Sequence, residues 1–358
     1  VRKCFAQITL LNSWKNIFIM EYRSLGRTGV KVSALCLGCM MFGGKTSSQD
    51  SYAIIDRAIS DGINFLDTAN VYSKGNSEIV TGEALKRNGK RNRIFLATKV
   101  FNVMDESDPM SGGNNRRHII EQCDASLRRL QTDWIDLYQL HRPQSSVPID
   151  ETLRALDDLV RAGKVRYIGT TTFAAWQLME SLGVSREQNL NRFVSEQPPY
   201  NILDRRIERE LVPFSITHGF GLIPWSPLAG GLLTGKYDRT QPPPEGTRVG
   251  DVYMKNATIA KRWNDAALDA VDALKHYVQA RGGCSLSQFS LAWCLHQPGI
   301  TAPIIGPRTM EQYEDNLAAM LVKLTAEDYV AIDTIVPRGH MASPFYEADF
   351  GPHTHRIV

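Results

Sequence analysis

Ile135-Asp136-Leu137-Tyr138-Gln139-Leu140-His141 is a short, mostly apolar run, and the segment on its C-terminal side decides the fold. Residues 149–162 carry Leu153, Leu156, Leu159 and Val160 at three- and four-residue spacing, the stripe of an amphipathic helix. Val165-Arg166-Tyr167-Ile168-Gly169-Thr170 is then a second apolar run. Run, helix, run is the unit of a parallel sheet, because two parallel strands need a long crossover between them.

The same unit recurs in both directions along the chain. Strands are expected at 34–38, 64–67, 94–99, 135–141, 165–170, 193–197, 221–225 and 301–306. Helices are expected at 48–61, 77–86, 116–130, 149–162, 174–182, 208–218 and 309–320. Near-continuous apolar strands, buried on both faces, favour closure over an open sheet, so the α/β fold expected is a (β/α)8 TIM barrel. Three features interrupt the repeat. Residues 22–35, with Gly26 and Gly29 at turn positions, read as a β-hairpin that plugs the barrel's bottom. The connection 226–260 holds Gly230, Gly231, Gly235 and Pro242-Pro243-Pro244, too many breakers for regular structure. Helical patterns at 264–281 and 286–296 both precede the eighth strand, so one is extra. A last helix is expected at 326–336, and the tail from Pro337 is irregular.

Residues 20–358 read as one barrel domain. Residues 1–19 read as foreign to it: they are basic, hold no acid, and end where Met20 meets the first patterned segment. A translated upstream extension and a presequence both fit that composition. The net charge of +3 resides wholly in this segment, through Arg2, Lys3 and Lys15. The body is therefore neutral and suggests neither nucleic acid nor an anionic membrane as partner. No apolar stretch is long enough to span a bilayer. The six cysteines, Cys4, Cys36, Cys39, Cys123, Cys284 and Cys294, do not form a second close pair beside Cys36 and Cys39, so no zinc site is expected. Free, mostly buried thiols fit a reducing, cytoplasmic setting. His340 and His353-Thr354-His355 lack the spacing of a metal site.

The expected strands stop at chemically capable residues: Asp67, Lys99, His141, the pair Glu196-Gln197, and Trp225. Such ends point at the C-terminal mouth, where barrel enzymes keep their active sites. Asp67, Lys99, His141 and Tyr72, five residues past Asp67, make chemical sense together. Reducing a carbonyl needs a proton at its oxygen, and a phenol alone is a poor acid at neutral pH. A nearby ammonium stabilises the phenolate, and a carboxylate keeps that ammonium charged. An imidazole aligns the carbonyl oxygen. No metal is required.

Asp67-Thr68-Ala69-Asn70-Val71-Tyr72, with a lysine closing the third strand and a histidine closing the fourth, resembles the signature of the aldo-keto reductase superfamily. The resemblance covers residue 22 to about residue 320. It is nearest to bacterial reductases and potassium-channel β subunits with a long seventh loop. It implies an NADPH-dependent reduction of aldehydes or ketones, with Tyr72 as general acid, Lys99 and Asp67 easing release of its proton, and His141 positioning the substrate. It also implies the cofactor, NADPH/NADP+, bound extended across the barrel mouth; the G-x-G-x-x-G fingerprint does not follow any strand here. Ile168-Gly169-Thr170-Thr171-Thr172-Phe173 matches the segment whose Ser-Asn pair holds the nicotinamide carboxamide. Thr171 keeps a hydroxyl at that place, while Thr172 loses the amide. Gln197 takes the other side of the carboxamide and Trp225 stacks on the ring. The loop Ser226, Pro227, Leu228, Gly230 to Lys236 matches the pyrophosphate loop, and Arg248 folds over the cofactor. Gly306 and Arg308 open a helix suited to the 2′-phosphate, and Gln312, Asp315 and Asn316 on that helix hold the adenosine.

Met40, Phe101 and Trp134, with Phe345, Tyr346 and Phe350 of the tail, are candidates to wall the substrate pocket; the tail residues alternatively pack on the barrel. The partner expected is a small carbonyl substrate, with a homo-oligomer left open. A nucleotide-sensing, channel-β-like subunit with little turnover is the alternative. His141 argues against it, since the β subunits replace that histidine. A dehydrogenase running in the oxidative direction would use the same residues.

Overall fold

The computed structural model describes residues 19–346. The extension expected at 1–19, apart from Ile19, lies outside the described residues, as do Phe350 and His353-Thr354-His355. A hairpin comes first, β1 (Tyr22–Ser24) and β2 (Lys31–Ser33), with Tyr22 paired to Ser33. Eight parallel strands follow: β3 (Cys36–Gly38), β4 (Phe65–Asp67), β5 (Phe95–Val100), β6 (Ile135–Leu140), β7 (Val165–Thr171), β8 (Ser195–Gln197), β9 (Gly221–Leu222) and β10 (Ile304–Ile305). They pair in chain order, and β10 returns to β3 through Ile304–Cys36 and Ile305–Leu37. The Thr301 amide donates to the Leu222 carbonyl and the Ile304 amide to the Pro224 carbonyl, both at 2.8 Å, which joins β10 to β9. The sheet thus closes on itself, and the fold is the expected (β/α)8 barrel with an N-terminal hairpin.

Between the strands lie α1 (Ser48–Ser60), α2 (Asn76–Asn88), α3 (Arg116–Leu130), α4 (Ile149–Arg161), α5 (Ala175–Glu187), α6 (Leu211–His218), α7 (Ala257–Ala260), α8 (Asp265–Arg281) and α9 (Leu286–Leu295). Helices α10 (Met310–Ala318) and α11 (Ala326–Ile335) come after β10. Side-chain oxygens of Ser47, Asn115, Asn264, Ser285, Thr309 and Thr325 accept orphan amides at six helix starts, so the chain encodes where these helices begin. Nearly every side chain of α9 is buried, which makes it the helix that covers the barrel. The extra helix is α8, one-sided in its burial, with Tyr277 and Arg281 each bonded at 2.8 Å to Asp328 of α11.

Two structural readings are corrected. The 174–182 helix does not stop at Gly183 but runs through it to Glu187, since one interior glycine costs only about 1 kcal/mol. The 208–218 helix is broken: a 3-10 turn at Arg206–Glu208 precedes α6, and Glu210 between them leaves helical backbone angles. The 226–260 connection is irregular as expected, apart from short helical turns at Ala229–Thr234 and Val249–Tyr253 and the single turn of α7.

Period-two alternation sorts each strand between two cores. Leu66, Leu96, Tyr138, Ile168 and Leu222 face the helices. Phe65, Phe95, Ala97, Leu137, Cys36 and Ile223 fill the barrel's interior, where Leu25 and Val32 of the hairpin join them and seal the floor. Gly26 makes that closure possible: its φ is +53°, and a Cβ there would lie 2.5 Å from the Gly219 carbonyl oxygen. Toward the other rim three of the inward rows turn polar. Phe95 and Ala97 give way to Lys99, Phe65 to Asp67, and Leu137 to Gln139 and His141.

Candidate active site

The polar ends of those rows meet. The Lys99 ammonium, fully buried, bonds to an oxygen of Asp67 and donates to the Thr68 carbonyl at 2.8 Å. It lies 3.4 Å from the Tyr72 hydroxyl. The other Asp67 oxygen accepts from Gln139 at 2.9 Å and Gln197 at 3.0 Å, so both oxygens of this buried carboxylate are engaged. Burial alone would drag the Lys99 ammonium's pKa down; Asp67 and Tyr72 outweigh it and hold the pKa above its ordinary value. The lysine therefore stays charged, which a buried ammonium does only with such a partner.

Tyr72 comes from the loop after β4. Ser73, Lys74 and Gly75 all adopt left-handed angles, with φ of 49°, 54° and 91°, and turn the chain sharply behind the phenol. Such conformations are costly for side-chain-bearing residues and persist where surrounding structure imposes them. The Tyr72 ring meets His141 edge-on, centroids 5.5 Å apart. His141 is buried, and its pKa falls well below the imidazole's usual value through burial, Arg142 and Lys99, in that order. It is a neutral ring at physiological pH.

These groups open on a cavity of about 1210 Å³. That exceeds the roughly 300–1,000 Å³ of single-ligand pockets and leaves room for two molecules. Asp67, Tyr72, His141 and Gln197 line its inner end, and Trp225 lies beside them. Ser226, Pro227, Leu228 and Gly230 continue along one wall to Lys236 and Arg248. Gly230 has a φ of +64°, and a Cβ there would strike the Tyr253 hydroxyl at 2.1 Å. Gly306, Arg308, Gln312, Asp315 and Asn316 form the far wall. Two loops approach across the groove: Lys45 pairs with Asp251, and Arg308 donates to the Gly246 carbonyl at 2.8 Å.

Some expected members are elsewhere. Neither Thr171 nor Thr172 lines the cavity. The Thr171 hydroxyl bonds to the His141 carbonyl, and Thr172 sits at a φ of +62° with its buried hydroxyl unpartnered among the described residues. Trp134 is no pocket wall. It precedes β6 at the opposite rim, with the Arg91 guanidinium 4.3 Å over its ring. Met40 and Phe101 do line the cavity. Phe345 does not: it is buried behind Trp225, centroids 6.3 Å apart, and Tyr346 donates to the Phe173 carbonyl. The tail as far as Tyr346 is thus packed on the barrel, with the Phe345 and Tyr346 amides both donating to Asp204. Glu196 points out of the barrel, because it pairs with Thr170 rather than sharing the inward face of Gln197.

Sequence reasoning missed Gln139, Arg142 and Arg262. Gln139 shares the inward face of β6 with His141, a signal available from alternation alone. Arg142 comes directly after His141 and lines the cavity. Arg262 stacks over Trp225 at 5.7 Å and Phe345 at 4.6 Å, a clustering no local pattern announces. Among the described residues no helix is long and apolar enough to cross a membrane. The cysteines Cys36, Cys39, Cys123, Cys284 and Cys294 are free thiols.

Comparison with known proteins points the same way. The model of the Aldo/keto reductase family matches residues 34–337. Over 328 residues the chain is 37% identical to the "Uncharacterized oxidoreductase YrpG" of Bacillus subtilis, covering 89% of this chain and 96% of that protein. It is 35% identical to the versiconal hemiacetal acetate reductase of Aspergillus parasiticus, covering 86% and 95%. It is also 35% identical to a "Probable voltage-gated potassium channel subunit beta" of Arabidopsis thaliana, covering 84% and 91%. Barrel, convergent rim groups and family match agree, and the chain belongs to the aldo/keto reductase family of oxidoreductases.

Proposed function

We propose that the protein reduces aldehydes and ketones to alcohols with NADPH, and that Tyr72 is the general acid. The observation that carries this reading is the bonded chain Asp67–Lys99–Tyr72, with its ammonium buried, opening on a cavity that also holds a neutral His141. NADPH, when bound, supplies the hydride. Tyr72 gives its proton to the carbonyl oxygen, and the Lys99 charge stabilises the phenolate left behind. Asp67, held by Gln139 and Gln197, keeps that charge in place. His141 offers a hydrogen bond to the same oxygen.

The groove suits the cofactor. Its size admits a dinucleotide beside a substrate, and Lys236, Arg248 and Arg308 are spread along it where phosphates need cations. Trp225 and Gln197 would hold the nicotinamide. Ser226, Pro227, Leu228 and Gly230 with Lys236 would hold the pyrophosphate. Gly306, Arg308, Gln312, Asp315 and Asn316 would hold the adenosine end, and Arg308 favours the 2′-phosphate form. Met40 and Phe101 leave an open, mostly apolar entrance suited to small and medium aldehydes.

Steady-state NADPH oxidation with 4-nitrobenzaldehyde and a broad aldehyde panel tests this reading; turnover is expected. No turnover on any member, with NADPH still bound tightly, would replace it with a nucleotide-sensing subunit of little turnover; two relatives carry the name of probable potassium-channel β subunits.

A further inference from the structure

We propose that Arg142 is a positioning residue for His141: its guanidinium and the Thr171 hydroxyl clamp the His141 carbonyl to the neighbouring strand and fix the imidazole against Tyr72. This rests on the reading of His141 as the group that aligns the substrate carbonyl.

The His141 carbonyl accepts from the Thr171 hydroxyl and, at 2.5 Å, from Arg142 Nη1. The same Nη1 donates to Thr171 Oγ1 at 3.2 Å, so the three groups close a ring between the ends of β6 and β7. On the other side the His141 amide donates to the Val100 carbonyl of β5 at 2.9 Å. The backbone of His141 is therefore tied to both neighbouring strands, and the ring keeps only its own two torsions. Tyr72 meets it edge-on at 81°. Nδ1 is buried without a hydrogen-bond partner among the described residues, which leaves Nε2 as the nitrogen available to a substrate oxygen.

The charges around the ring act in the same direction. Lys99 faces it from β5 with Asp67 of β4 behind, Tyr72 faces it from the loop after β4, and Arg142 stands at its own strand end. Burial, Arg142 and Lys99 each disfavour the imidazolium. Arg142 thus does two things through one guanidinium: it holds the peptide and adds to the burial that already disfavours the imidazolium. Thr171, at a place where the family resemblance implies a cofactor contact, serves this clamp.

The test compares wild type with Arg142→Met, Arg142→Lys and Thr171→Val. NMR of the histidine Cε1–H signals, read for position and for titration from the lowest pH at which the protein stays folded up to pH 8.5, tracks the ring directly, His141 being assigned by the signal lost in His141→Asn. Kinetics of aldehyde reduction and NADPH affinity by tryptophan fluorescence run alongside. In Arg142→Met, His141 titrates at higher pH than in wild type. Its kcat falls roughly 10- to 100-fold, the scale of a misplaced reacting group, with NADPH affinity unchanged. Arg142→Lys restores the charge and the wild-type titration but not the planar fork, so it recovers only part of kcat. An Arg142→Met protein whose His141 signal keeps both its wild-type position and its wild-type titration overturns the proposal, whatever its rate. If that variant does not fold, Thr171→Val decides, and an undiminished kcat overturns the clamp. Should wild type reduce no carbonyl at all, the reductase reading fails by itself, and the titration still judges Arg142.

Discussion

At the scale of the residue, the site's demands can be put to single substitutions. Tyr72→Phe removes the proton and little else, so kcat should fall by about 10²–10⁴-fold, the usual worth of a positioned acid. NADPH affinity, read by fluorescence titration, should stay as it was; a Tyr72→Phe enzyme at full rate would mean another group protonates the carbonyl oxygen. Arg308→Leu removes a cation from the groove's far wall, where a hydrogen bond to a charged group is worth about 1.5–3 kcal/mol. It should weaken NADPH roughly ten- to a hundredfold while leaving NADH nearly untouched, and equal losses would refute a 2′-phosphate contact. Asp67, Tyr72, Lys99 and His141 were legible because each stands at or near a strand end and carries chemistry of its own. Arg142 was not, since an arginine after a strand is ordinarily a solvated end. Thr171 shows the complementary limit: its position on β7 was readable, but whether its hydroxyl would face the cavity or the His141 carbonyl depends on Arg142.

At the scale of the element, the hairpin β1–β2 is a plug, and its apolar tip matters. Leu25 is fully buried against the barrel's interior layer. Leu25→Ala should cost about 2–5 kcal/mol through lost transfer energy and the void left behind. Chemical denaturation measures that loss, and a change below about 1 kcal/mol would show that the floor is not sealed by this side chain. Helices were readable where an apolar stripe and a capping residue coincide, as at Ser47 before α1 and Asn115 before α3. Their far ends were harder to place, because packing carries α5 through Gly183 despite the glycine. Strands β9 and β10 are shorter than their apolar runs, 221–225 and 301–306. Pro224 and Pro303 lack the amide that would continue the ladder, though their carbonyls still accept from Ile304 and Cys36.

At the scale of the whole molecule, stability should carry the signature of one buried acid. Glu196, outside the barrel wall, accepts from Thr170 at 2.5 Å and from the Phe173 amide at 3.1 Å, yet burial pushes its pKa up to about 8. The folded protein therefore holds a proton that the unfolded chain releases near pH 4.5, and stability falls as pH rises from there through about 8. Glu196→Gln keeps the shape and cannot ionise, so its melting temperature should decline less between pH 5 and 9. Parallel profiles would place the charge change elsewhere. The barrel itself was the most legible feature, since strand and helix alternate along nearly the whole body. The tail's course was hidden, as its anchors Asp204 and Arg262 lie far from it in sequence. The stoppered floor has a kinetic corollary. A vessel with one entrance makes its visitors queue: whatever lies deepest must arrive first and depart last. Dinucleotide and carbonyl sharing that vessel should obey a compulsory order, with the alcohol leaving before the spent cofactor, and product-inhibition patterns would register the sequence.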